Sequence, residues 1–188
     1  MMRLSILAAV VLASAVPAAA QSPVRVPAFD SIELRGGGHV TIRHGAAQRV
    51  TLVRGSAELT RFEVDDDGGL RIDACVRSCR NYDLRFEIVT PSLEAVAITG
   101  GGAVRTEGAF PGRGTLAVAV TGGGAIDVRS IEAASVAAAV RGGGSILTRP
   151  RNSLAASVSG GGAITYWGNP SVTSSVNGGG SVRRGSAR

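Results

Sequence analysis

Apolar positions recur at every second residue along much of the chain, and the alternation is interrupted at intervals by three consecutive glycines. The triplets are Gly36-Gly37-Gly38, Gly100-Gly101-Gly102, Gly122-Gly123-Gly124, Gly142-Gly143-Gly144, Gly160-Gly161-Gly162 and Gly178-Gly179-Gly180. Aligned on the first glycine of the last five, the position two residues before it holds Ile98, Val120, Val140, Val158 and Val176. Four before it stand Val96, Val118, Ala138, Ala156 and Ser174, and six before it Glu94, Leu116, Val136, Leu154 and Val172. Four after it stand Val104, Ile126, Ile146, Ile164 and Val182. The first triplet follows suit, with Ile32 and Leu34 before it and Val40 and Ile42 after. A period of two with β-branched residues predicts strands with one buried face, and the glycines rule out long helices.

The triplets lie 64, 22, 20, 18 and 18 residues apart. Spacing of this size, with turn residues at fixed offsets, marks a stacked repeat, whereas an antiparallel sandwich of hairpins turns about every 8–12 residues. The pattern therefore predicts an all-β chain folded as a single-stranded right-handed parallel β-helix of 18–22 residues per coil, the 64-residue interval holding about three further coils. On this reading the triplets are corners where stacked side chains would collide and where glycine takes a positive φ. An anion-binding nest of free N–H groups is the competing reading. The middle position, Gly123, is expected to resist substitution by Val if its backbone is left-handed. The alignment also sets Arg105 beside Asp127 and Glu107 beside Arg129, as solvent-facing ion pairs between neighbouring coils.

Residues 29–90 alternate with less regular corners than residues 91–184. Within them, "VDDDGGLRI" reads as strand, tight turn and strand; Asp65, Asp66 and Asp67 suit calcium by type but not by spacing. The last repeat, "SVNGGGSVRRGSAR", leaves an open strand edge that invites another chain.

Composition refines the picture. "MMRLSILAAVVLASAVPAAAQ" has a basic start, a short apolar run and an Ala-x-Ala exit, so residues 1–20 are expected to be a cleaved signal peptide and residues 21–188 one exported domain. No later apolar run is long enough for a transmembrane helix. All 20 basic residues are arginine, which excludes the lysine-bearing phosphate loop. Residues 21–133 carry 13 Arg against 14 carboxylates, whereas the six arginines beyond Ala134 (Arg141, Arg149, Arg151, Arg183, Arg184 and Arg188) meet no carboxylate. Cys75 and Cys79 in an exported chain read as a disulfide, with a zinc site shared with His39 and His44, or free thiols, as the alternatives.

The segments "FDSIELRGGGHVTI", "GGLRID", "LRFEIVTPSLEAVAITGGGAV" and "AITYWGNPSVTSSVNGGGSVRR" resemble, in that order, the GIN-domain family of exported bacterial proteins, described as auto-transporter adhesin heads. The resemblance runs from Phe29 to Arg184 and is most specific at Tyr166-x-Gly168-x-Pro170 followed by the last triplet. It implies a β-helical fold and a cell-envelope location, and carries no catalytic residues.

Function is therefore expected to be binding or structural, with no catalysis and no cofactor. A polysaccharide lyase or hydrolase is the alternative, disfavoured because no carboxylate follows Glu132. Partners expected are an anionic envelope polymer, a glycan or another envelope protein; nucleic acid is disfavoured by the compartment. The C-terminal arginines suit forked hydrogen bonds to anions, or equally block edge-to-edge association by repulsion. Trp167 offers an aromatic face for sugar stacking, or else simply covers a neighbouring side chain.

Overall fold

The computed structural model describes residues 22–77, 79 and 83–186. In chain order the strands are β1 (Ser22–Val24), β2 (Ser31–Gly36), β3 (His39–His44), β4 (Arg49–Arg54), β5 (Arg61–Val64), β6 (Gly69–Asp73), β7 (Arg85–Thr90), β8 (Ala95–Gly100), β9 (Ala103–Glu107), β10 (Arg113–Gly122), β11 (Ala125–Asp127), β12 (Ala133–Gly142), β13 (Ser145–Thr148), β14 (Ser153–Ser159), β15 (Ala163–Tyr166), β16 (Ser171–Asn177) and β17 (Ser181–Arg184). They form a nine-stranded sheet, in the order β1-β4-β7-β3-β9-β11-β13-β15-β17, and an eight-stranded sheet, in the order β16-β14-β12-β10-β8-β2-β6-β5.

From β7 onward each strand belongs to the other sheet from the one before it. In the eight-stranded sheet Ile98, Val120, Val140, Val158 and Val176 stand in direct register, and in the nine-stranded sheet Val104, Ile126, Ile146, Ile164 and Val182 do. The buried faces of both sheets join in one apolar cluster, where Leu34, Ile42, Leu116, Ile126 and Ile146 are fully covered. Each such side chain contributes roughly 1.5–3 kcal/mol by burial.

The expected single-stranded right-handed parallel β-helix is corrected by this topology: the chain forms two mixed sheets. β4 runs antiparallel to both β1 and β7, and β5 antiparallel to β6. The cause of the last reversal is local. Asp65 and Gly68 close a tight turn in which the Asp65 carboxylate accepts the Gly69 N–H at 2.7 Å, returning the chain alongside itself. The 64-residue interval is also misread as stacked coils. β2 lies between β6 and β8, and β3 between β7 and β9, so the first triplet is the immediate neighbour of the second, with Gly36 opposite Gly100. Strands β4 to β7, which fill most of the interval, lie on the far side of β2 and β3.

The glycines of a triplet are not equivalent. Gly142 has φ +112°, and a Cβ there would stand 2.7 Å from the Gly122 carbonyl oxygen on the next strand. A Cβ on Gly144 would meet Val120 and the Gly124 carbonyl oxygen. Gly143 has an ordinary φ and nothing within 4 Å of a Cβ. Gly123 shares that open setting, so the expected cost of a side chain moves from the middle glycine to its two neighbours.

Candidate functional site

The outer face of the nine-stranded sheet gathers a basic hollow at its β17 end. Register continues past the strand ends: Trp167 N–H donates to Thr148 O at 3.0 Å, and Gly185 N–H to Tyr166 O at 2.8 Å. Arg149, Trp167 and Gly185, each three residues beyond the central apolar residue of its strand (Ile146, Ile164, Val182), therefore follow one another across the sheet, with Arg129 at the equivalent place after Ile126. With Arg183, Arg184 and Thr165 they line a hollow of about 860 Å³.

Within it the Arg129 guanidinium lies 5.0 Å from the centroid of the Trp167 ring, a separation suited to cation–π attraction. Asp127 also holds that guanidinium through a fork, Nε to Oδ1 at 2.8 Å and Nη2 to Oδ2 at 2.5 Å. Partial burial pushes the Asp127 carboxyl up, but hydrogen bonds from the Arg129 side chain and backbone, together with the charges of Arg129 and Arg105, hold it below the ordinary carboxylate range. The indole N–H donates to Ser186 O at 3.2 Å, and Gly185 lies so close to the ring that any side chain there would collide with it. Trp167 is thus half-buried and held by Arg129, Gly185 and Ser186.

Arg129 is neutralised by Asp127. Arg149 has Glu132 only at 3.9 Å, and among the described residues Arg183 and Arg184 make no ion pair. Of the residues lining the hollow, Arg183 and Arg184 thus carry unpaired charge among the described residues and Arg149 a loosely paired one, beside a flat aromatic surface.

Of the other arginines singled out from sequence, Arg141 lies in β12, in the eight-stranded sheet, opposite Thr121 and Ser159. Arg151 sits over Gly112, its Nη2 3.2 Å from where a Cβ would stand. Arg188 lies outside the described residues, as do residues 1–20. The coil alignment pairs Arg129 with Glu107 and so leaves it outside the candidate site, whereas its partner is Asp127. Arg105 does stand opposite Asp127 in register, but the closest pairs run along strands or to a third one: Arg129 with Asp127, Arg105 with Glu107 at 2.7 Å, and Arg43 with Glu107 at 2.7 Å. An arginine is long enough to reach the carboxylate two residues away on its own face, a competitor that the alignment of coils left out.

Cys75 and Cys79 are joined in a disulfide, their Cα atoms 6.2 Å apart. The triplets' N–H groups enter the ladder: Gly123 donates to Gly100 O and Gly143 to Gly122 O, both at 3.0 Å. Asp65 serves the β5–β6 turn, and among the described residues no group of three His, Cys, Asp or Glu side chains is placed to hold a metal. No helix among the described residues is long and apolar enough to cross a membrane.

The sequence profile of the family described as "Putative auto-transporter adhesin, head GIN domain" matches residues 28–113 and 111–170. Among proteins of curated function there is no sequence match. A crystal structure titled "putative adhesin" from Bacteroides fragilis superposes with a TM-score of 0.57 at 18% identity, over 87% of this chain and 95% of that one. A second "putative adhesin", from Parabacteroides merdae, reaches 0.45 at 15% identity, over 89% of this chain and 96% of that one. At 18% identity the first likeness establishes shared fold.

Proposed function

The chain belongs to the GIN-domain family of auto-transporter adhesin heads, and from that premise we propose that it is an exported, adhesin-like binding protein that holds an anionic envelope polymer in the hollow beside Trp167. The observation that carries the proposal is the convergence of Arg149, Arg183 and Arg184, with no carboxylate close enough to neutralise the last two. Guanidinium forks match phosphate and carboxylate oxygens, so lipopolysaccharide phosphates or an acidic glycan suit the hollow by charge and geometry. Trp167, with Arg129 against its ring, forms one wall of the hollow. The reading requires no catalysis. Asp127, Glu107 and Glu132 each lie within ion-pair distance of an arginine.

The test is binding of lipopolysaccharide, an acidic glycan and a neutral glycan at low and high salt. Saturable binding of the anionic ligands that weakens with salt, and falls at least about tenfold in Arg149→Ser/Arg183→Ser/Arg184→Ser, supports the proposal; a tenfold change corresponds to about 1.4 kcal/mol. Equal affinity for the neutral glycan, or an unchanged affinity in the triple variant, refutes it.

A further inference from the structure

The two ends of the eight-stranded sheet are complementary. At one end β16 pairs only with β14 among the described residues, and its free side is a backbone edge seven residues long. Ser171 N–H donates to Asn152 O, and Asn177 C=O accepts from Gly160 N–H. By alternation, the N–H and C=O groups of Val172, Ser174 and Val176 then point to the free edge. The side chains of the two valines are left open as well. Val172 is 37% and Val176 41% exposed, whereas Leu154 and Val158, their partners on β14, are 1% and 0%. A further strand is what would complete both the ladder and the core.

At the other end β5 pairs only with β6 among the described residues, and its Phe62 and Val64 are only partly buried against the core. Its turn adds the exposed Asp65, Asp66 and Asp67. β6 runs parallel to β2, and β2 to every strand out to β16, so β5 runs opposite to β16. Both the β5–β6 turn and the Arg184 end of β17 lie on the side away from the glycine triplets, because β6 and β16 run toward the triplets and β17 away from them.

We propose that a second copy of this chain docks head to tail, its β5 edge pairing antiparallel with β16 of the first. Phe62 and Val64 of one copy then cover Val172 and Val176 of the other. The Asp65–Asp67 turn comes to the side occupied by Arg183 and Arg184, so the charges attract across the contact. Such a contact joins unlike surfaces and leaves each end free for another copy, giving open arrays rather than a closed dimer. Arg183 and Arg184 also belong to the hollow, so an anionic polymer and a second copy compete for them.

Sedimentation velocity of the purified protein across a wide concentration range, at low and high salt, tests the proposal. Species larger than a dimer are expected to grow with concentration and to shrink with salt. Ser174→Pro removes one N–H from the free edge without touching the ladder to β14, and is expected to give a monomer that still binds anionic polymer. Arg183→Glu/Arg184→Glu and Asp66→Arg/Asp67→Arg are each expected to be monomeric alone and to associate on mixing, a readout that stands even if the proline variant misfolds. A wild-type monomer at every concentration overturns the proposal. So does association that survives in a folded Ser174→Pro protein, or association that increases when Arg183 and Arg184 are removed.

Discussion

Alanine at Gly142 and alanine at Gly143 should move stability in opposite directions, although the residues are adjacent and chemically identical. At Gly142, φ is +112°, a region that side chains rarely enter, and strain of this kind costs roughly 1–3 kcal/mol. The new Cβ would also stand 2.7 Å from the Gly122 oxygen, so β10 and β12 would have to part locally at a point where the Gly143 N–H bonds that same oxygen. Against this, alanine restricts the unfolded chain and recovers about 0.4–1 kcal/mol. The net expectation is a loss of about 2 kcal/mol or more. For a chain of this size about 2–4 °C accompany each kcal/mol, so Tm should fall by roughly 4–8 °C. At Gly143 a Cβ meets nothing within 4 Å, only the unfolded-state effect remains, and Tm should rise by roughly 1–4 °C. Differential scanning calorimetry of the two variants beside the parent protein decides it. Equal destabilisation by both would refute the argument that the first and third glycines, and not the middle one, are demanded by the stacking of strands.

Three further outcomes follow from the same geometry. Cys75→Ser/Cys79→Ser opens a loop of very few residues, and denaturant unfolding should show a loss of about 2 kcal/mol or less. Because the Asp127 carboxyl is held below its ordinary value of 3.8, its contribution to stability is present above that pH and lost as pH falls through the lower folded-state value. The stability difference between the parent and Asp127→Asn should accordingly be full at neutral pH and vanish in acid; a difference that persists unchanged at the lowest pH would refute the ion-pair account. Arg129→Ala removes the cation from the sole tryptophan, so the fluorescence spectrum of Trp167 should change, with a stability cost of roughly 0.5–1 kcal/mol.

Much of the strand pattern is legible in the sequence because burial on one face leaves a period of two. Ile98, Val120, Val140 and Val158 are read as inward-facing and are at most 1% exposed. The partner of a strand is another matter. Nothing local in "SIELRG" says that it lies between β6 and β8 rather than beside its neighbours in sequence. That choice is made by distant strands competing for the same edges, and the parallel β-helix expectation fails there and at the antiparallel β4 and β5. The candidate site is legible to the extent that Arg149, Trp167, Arg183 and Arg184 stand out by type and offset. Arg141 and Arg151 do not join them: one stands in the other sheet and one over Gly112, and charge counting along a chain is blind to which sheet a residue belongs to. Arg129 enters the hollow through a tie to Asp127, two residues earlier at the end of β11, and through Trp167, a contact that crosses more than one strand spacing.

The place of β2 and β3 has a consequence for the order in which the molecule assembles. Both are synthesised early, yet each is flanked by strands made later, up to Glu107 at the end of β9. Neither can acquire both of its hydrogen-bonded neighbours until more than half of the polypeptide has emerged. Loop closure over such distances is slow, so the first glycine triplet waits with two unoccupied flanks, and the growing chain passes through a stage in which two strands destined for the interior of the sheets are its most adhesive ones.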